Sequence, residues 1–224
     1  MRLYLTSSNL GKFEDVLVGM VGDNKKALII SNARDHHTVE ERKIAVSKDS
    51  GFLSKCGFEV TELDLRNYFG KADELRKYVD NYAPGLIFAM GGNVYSLATT
   101  MRLSGMDDIL REDLKNDKYV YGGYSAGSMV ASYDLRNYAD SFGTRLDDSF
   151  EETEKMYGVL CKDGLGLIDE FIVPHADEEE FKPVCKEAEI NITSRGFVPI
   201  VLKDADVVVV DGDSTKILRE EKGA

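Results

Sequence analysis

Short apolar runs alternate along this chain with longer segments in which apolar residues recur every three or four positions. Leu3–Leu5 predicts a first strand, and the amphipathic stretch Leu10–Val21 predicts a helix behind it. Ala27–Ser31 (ALIIS) predicts a second strand, followed by a helix over Val39–Lys55. Phe58–Leu65 alternates apolar and polar residues, the period of a half-buried third strand. Asp73–Asn81 reads as a helix. Leu86–Met90 is a fourth strand that runs into Gly91-Gly92-Asn93, ahead of a helix over Tyr95–Leu103. Tyr119–Tyr121 is a fifth strand ending in Gly122-Gly123. Such alternation predicts an α/β fold, a mostly parallel sheet with helices on both faces.

The second half is less regular. Asp134–Glu154 is polar and predicts a long loop, of the length that in compact domains usually carries function or mobility. Phe171–Val173 predicts a strand leading into Pro174-His175, with a helix over Phe181–Ser194. Val198–Leu202, Val207–Val210 and Lys216–Leu218 predict further strands, the last two joined as a hairpin around Asp211-Gly212-Asp213. No linker, repeat or low-complexity segment interrupts the pattern, so residues 1–224 read as one domain.

Composition narrows the function classes. With 43% hydrophobic and 30% charged residues, the 224-residue chain has a globular balance. A net charge of −12 repels phosphate backbones, so no nucleic-acid partner is expected. Cys56, Cys161 and Cys185 lie far apart with no C-x-x-C spacing, which reads as reduced thiols in a reducing compartment. Neither a signal-peptide pattern nor a long apolar span is visible, so the expectation is a cytoplasmic chain away from membranes. Monomer and homodimer both fit. The pair His36-His37 has no third donor nearby at metal spacing, so no metal or other cofactor is expected.

Gly123-Tyr124-Ser125-Ala126-Gly127 matches G-x-S-x-G between a predicted strand and a predicted helix. A nucleophilic serine needs a sharp strand-to-helix turn, and small residues two before and two after let the backbones close around it. The amide of Ala126 then points to where an oxyanion would form. Gly91-Gly92 ends the preceding strand on the same sheet edge, where ligands bind in parallel sheets. It can supply a second donor from Gly92 or serve only as a turn. A base must come from His36, His37 or His175, and His175 is favoured because it follows a strand end and a proline. Asp134, Asp140, Asp177, Glu178, Asp204 and Asp206 are all candidate acids. With 40 acidic residues in the chain, spacing singles out none of them.

Three segments, AMGGNVYSL (Ala89–Leu97), GGYSAGSMV (Gly122–Val130) and IVPHAD (Ile172–Asp177), together resemble the peptidase E (aspartyl dipeptidase) and cyanophycinase family. Their order and spacing fit that family over most of the chain. The resemblance implies a class I glutamine amidotransferase-like, flavodoxin-like fold, with Ser125 where the amidotransferases carry cysteine. It implies a serine peptidase acting on short peptides as an exopeptidase or dipeptidase, with Ser125 as nucleophile and His175 as base. Gly92 and the amide of Ala126 would be the oxyanion donors, and Asn93 would line the substrate pocket. Asp140 would complete the relay, although an acid nearer the C-terminus would instead favour Asp204 or Asp206. One departure bears on specificity. Where aspartyl dipeptidases place a substrate-holding arginine, this chain has Glu189, with Arg195, Lys182 and Lys186 as the nearest cations.

Two other classes compete. An α/β-hydrolase esterase would use the order Ser125, Asp140, His175, but several strand signals follow His175, where such enzymes have few. A non-catalytic module on an amidotransferase-like fold would show a broken elbow or no base, and this sequence has both intact.

Overall fold

A computed structural model describes residues 1–138 and 150–220 of the chain. Five strands run parallel: β1 (Arg2–Thr6), β2 (Lys26–Ile30), β3 (Glu59–Glu62), β4 (Leu86–Ala89) and β5 (Val120–Tyr124). Their spatial order is β3-β2-β4-β5-β1, which puts β5 between β4 and β1. β6 (Phe171–Val173) and β7 (Pro199–Val201) pair parallel in a separate two-stranded sheet. β8 (Val207–Asp211) joins β1 antiparallel, and β9 (Ser214–Leu218) closes that edge as a hairpin with β8.

Period-two alternation assigns each strand's side chains to the two faces. Leu3 and Leu5 belong to one apolar cluster, while Tyr4 between them belongs to the other. Leu28 and Ile30 likewise face opposite to Ala27 and Ile29. One face is covered by α1 (Glu14–Val21) and α2 (Val39–Lys55), through Leu17, Val21 and Leu53. On the other lie α3 (Ala72–Tyr82), α4 (Val94–Ser104), α5 (Met106–Lys115), α6 (Ala126–Met129) and α8 (Lys182–Ser194). Phe150 at the start of α7 (Phe150–Tyr157) packs against the same cluster. Burial on both faces is why the inner strands read as continuous apolar runs. The expected fold, a mostly parallel sheet with helices on both faces, is what the chain adopts.

Local signals explain where the helices begin. Thr38 and Glu41 form a reciprocal capping box at the start of α2. Asn93 starts α4 by accepting the amides of Tyr95 and Ser96, each at 2.9 Å, on its Oδ1. Three elements differ from the sequence expectation. α5 follows α4 directly across Gly105 (φ +79°), over a segment, MDDILREDLK, to which the sequence pattern assigned no element. The predicted loop Asp134–Glu154 contains a 3₁₀ turn at Leu135–Tyr138 and the first residues of α7. β7 pairs with β6 rather than with the main sheet. Among the described residues no helix is long and apolar enough to cross a membrane.

Backbone packs closely on backbone where α6 crosses the ends of β4 and β5. A Cβ on Gly123 would sit 2.6 Å from the Gly127 backbone, and one on Gly127 would sit 2.2 Å from the Ala89 carbonyl oxygen. Gly127→Ala is therefore expected to destabilise the fold by about 2 kcal/mol or more, by overpacking against rigid backbone. A thermal melt should show Tm falling by about 4–8 °C for a chain of this size. Gly51→Ala in α2, where an added Cβ meets nothing within 4 Å, is the matched control and should hold or raise Tm. A G127A protein melting with the parent would show that the elbow has spare room.

Candidate active site

Ser125 occupies the single residue between β5 and α6, at φ +50° and ψ −114°. An L-residue held in that region costs about 1–3 kcal/mol, so the surroundings must over-determine it. They do so with hydrogen bonds. The Ser125 amide donates to the Thr6 carbonyl at 3.1 Å, and the Ser125 carbonyl accepts the amides of Ser128 and Met129 at 2.9 Å. The buried Ser128 hydroxyl lies 2.7 Å from the Thr6 oxygen and 2.6 Å from the Gly123 oxygen. Tyr121 donates its hydroxyl to the Gly127 carbonyl at 2.7 Å. Ser125 is left half-exposed in a cleft of about 420 Å³.

The turn after β4 forms the neighbouring wall. Gly92 is exposed in the cleft at φ +143°, and an added Cβ would approach the Ala33 oxygen to 2.4 Å. Gly91 could carry no side chain either, since its Cβ would come within 2.5 Å of the Tyr124 ring. Among the described residues, neither the Gly92 nor the Ala126 amide donates to a backbone carbonyl. Asn93 corrects an expectation. It is fully buried behind the wall, its Oδ1 caps α4, and its amide donates to the Ala33 carbonyl at 2.7 Å. It fixes the turn rather than lining the pocket.

His175 hangs from the end of β6 at φ +63° and lines the same cleft as Ser125. Its amide donates to the Ser7 hydroxyl at 2.7 Å, and its ring packs on Phe181 with centroids 4.7 Å apart. Nδ1 lies 3.1 Å from Asp204 Oδ1 and 3.0 Å from Glu178 Oε1. Ser7 also donates to Asp204 Oδ1 at 3.0 Å, and Asp177 accepts the Asp204 amide at 2.9 Å. Burial, and then the adjacent Asp204 carboxylate, push the Glu178 carboxyl above its usual range. Asp204 arrives because β8 is antiparallel. Val207 pairs with Thr6, so the chain just before β8 lies at the edge where the parallel strands end.

The other candidates fall elsewhere. Asp140 lies outside the described residues. Asp206 is buried in the turn before β8, where it accepts the Lys203 amide at 3.0 Å and faces Arg219. Asp134 pairs with Arg136. His36 and His37 also line the cleft, after the 3₁₀ turn Asn32–Arg34. Glu189 is exposed on α8, Arg195 donates to the Arg136 carbonyl and Asn137, and Lys182 pairs with Glu179; none of them lines the cleft. Sequence reasoning missed Ser7, Arg34 and Asp49. Arg34 donates from Nε to the Gly91 carbonyl at 3.0 Å and from Nη2 to the Tyr124 hydroxyl at 3.1 Å. Tyr124 donates in turn to Asp49 at 2.6 Å, whose carboxyl is pushed up by burial. These partners are tens of residues apart, and no local pattern could have joined them.

His175, Glu178 and Asp204 each bring a donor atom within 4.8 Å of the others. That donor set could hold a divalent cation. It equally provides an acceptor for a proton on Nδ1, which leaves Nε2 as the basic nitrogen.

The family model described as peptidase family S51 matches residues 3–218. Two relatives are uncharacterized peptidases of Listeria. Lmo0363 of L. monocytogenes is 26% identical over 83% of this chain and 82% of its own length. Lin0382 of L. innocua is 27% identical over 85% and 84%. Among solved structures, a candidate peptidase E from L. monocytogenes superposes with a TM-score of 0.73 at 22% identity, covering 98% of each chain. A peptidase from an acI-B1 actinobacterium gives 0.70 at 18% identity, covering 98% of this chain and 87% of that one.

A nucleophile at the elbow predicts that Ser125→Ala abolishes peptide hydrolysis, since removing a triad nucleophile typically costs on the order of 10⁶ in kcat. His175→Ala should cost nearly as much, because nucleophile and base act as a unit. His36→Ala and His37→Ala should keep most activity. Steady-state kinetics on a short peptide with the four variants decides. A loss at His36 or His37 as large as at His175 would move the base.

Proposed function

This chain belongs to peptidase family S51, a family of serine peptidases, and from that premise we propose that it is an exopeptidase cleaving short peptides through Ser125, His175 and Asp204. One observation carries the reading. Ser125, in a strained elbow, shares a cleft with a histidine whose Nδ1 lies 3.1 Å from a carboxylate. Asp204 then keeps the proton on Nδ1, and Nε2 takes the Ser125 proton as Oγ attacks the scissile carbonyl. The oxyanion of the tetrahedral intermediate is received by the Gly92 and Ala126 amides. Collapse expels the amine, protonated by His175, and leaves an acyl-Ser125. Water, deprotonated by the same histidine, releases the acid and restores the serine.

The substrate in this reading is a short peptide with a free N-terminal ammonium, which suits an acidic chain. A strong preference for N-terminal aspartate has little to rest on. The position of the expected arginine holds Glu189, and Arg195 is tied to the backbone of Arg136. Losing one charge-assisted hydrogen bond costs about 1.5–3 kcal/mol, roughly 10- to 100-fold in selectivity.

Two measurements test the proposal. Asp204→Asn should lower kcat by about 10³–10⁴ through the wrong histidine tautomer, while Asp206→Asn and Asp140→Asn stay within tenfold of the parent. A collapse in Asp140→Asn with Asp204→Asn active would exchange the two acids. Kinetics on Asp-Leu, Ala-Leu and N-acetyl-Ala-Leu address the substrate. The first two should differ by less than about 100-fold, and the acetylated peptide should be resistant. Equal cleavage of the acetylated peptide would end the exopeptidase reading.

A further inference from the structure

The Gly91-Gly92 turn must present one amide in one direction, yet it is built from the two residues least able to hold a direction. A peptide plane flanked by two glycines rotates with little steric resistance. We propose that Arg34 is the positioning residue of this turn, gripping the Gly91 carbonyl so that the Gly92 N–H faces Ser125; this rests on the reading of Gly92 as an oxyanion donor. The peptide is trans, so the carbonyl of Gly91 and the amide N–H of Gly92 lie in one plane and point in opposite directions. Holding the carbonyl oxygen 3.0 Å from Arg34 Nε therefore aims the N–H away from the guanidinium. A cation on that oxygen also polarises the peptide and strengthens its N–H as a donor.

Arg34 is itself held. Its Nη2 donates to the Tyr124 hydroxyl at 3.1 Å, and Tyr124 donates to the buried Asp49 at 2.6 Å. Tyr124 is the residue before Ser125, so the network joins the nucleophile's own strand to the oxyanion turn. On the other side, the Asn93 amide binds the Ala33 carbonyl at 2.7 Å, anchoring the turn to the residue before Arg34. Arg34 also lines the cleft, which raises the alternative of a direct contact with substrate.

Kinetics separate the two roles. Removing an oxyanion donor outright costs about 10²–10³ in kcat, and a misdirected one should cost roughly 10- to 100-fold. Arg34→Met is expected to lower kcat by that factor with KM within threefold. A peptide aldehyde, whose adduct with Ser125 carries the oxyanion, should weaken by the same factor. Arg34→Lys, which can still reach the Gly91 carbonyl, should recover part of the loss, and Tyr124→Phe should lower kcat several-fold. Should Arg34→Met fail to fold by circular dichroism, Arg34→Lys and Tyr124→Phe carry the same test, each lowering kcat at constant KM. An unchanged kcat, or a raised KM with kcat retained, would overturn the positioning role. Ser125→Ala in the same assay keeps the questions apart: if it retains activity, the reading of the site falls whatever Arg34 does.

Discussion

Backbone packed directly on backbone at the β5–α6 junction is the constraint on which the site depends. Gly127 passes so close to the Ala89 carbonyl that no side chain fits, and Gly123 faces Gly127 under the same limit. β4 and β5 pair in register with Ala89 opposite Gly123, so the helix must turn off the strand within one residue. That residue is Ser125, and its left-handed backbone is the geometric result. The strain is opposed by a closed set of hydrogen bonds to Thr6, Gly123, Ser128 and Met129. A serine on a relaxed turn would let the helix drift and carry the Ala126 amide with it.

Around that elbow the sheet topology gathers the remaining groups. β1, β4 and β5 all end on one edge, delivering Ser7, Gly91-Gly92 and Ser125 together. β8 runs the other way, so its beginning, not its end, reaches this edge and brings Asp204. The small β6–β7 sheet stands apart from the main one and swings His175 over the edge. Ser7 links these contributions, accepting the His175 amide and donating to Asp204. The imidazole is thus fixed through its backbone as well as through its ring.

Much of this was legible in the sequence, for identifiable reasons. Strands buried on both faces leave unbroken apolar runs, and the glycines of the elbow are demanded by close approach, so β1, β2, β4, β5 and Ser125 could all be read directly. The start predicted for α2 at Val39 coincides with the capping box that Thr38 and Glu41 form there. α5 escaped because it follows α4 across a single glycine, and a helix–helix junction leaves no polar gap to announce it. Asp204 could not be singled out among the candidate acids because its place beside His175 depends on β8 being antiparallel, a pairing that period-two alternation does not encode. Asn93 was misplaced because an asparagine beside a glycine turn reads equally as a ligand contact and as a helix cap, and here the cap took its side chain. Arg34 was invisible because its partners lie in the turn after β4 and on β5, tens of residues away in the chain.

The turn that carries Arg34 has its own support, a charge network built around the buried Asp35. Asp35, the next residue, is inaccessible; burial pushes its carboxyl up, while Asn32 and Tyr157 donate to it and Arg42 and Arg66 stand 3.3 and 3.5 Å away. Asp64 is also partly buried, which opposes ionisation, but the Arg66 and Asn32 hydrogen bonds hold its carboxyl down at about 2. Asn32 spans both acids, donating to each while its own oxygen accepts the Leu65 amide at 3.1 Å. Replacing such a network with apolar residues can preserve stability, because desolvation offsets most of what ion pairs contribute. An apolar replacement would not reproduce its directionality. Each guanidinium donates and each carboxylate accepts along preferred directions, so the Asn32–Arg34 turn sits in one orientation relative to β4. The apolar core sets where the sheet edge lies, and this charged layer behind it sets which way the residues on that edge point.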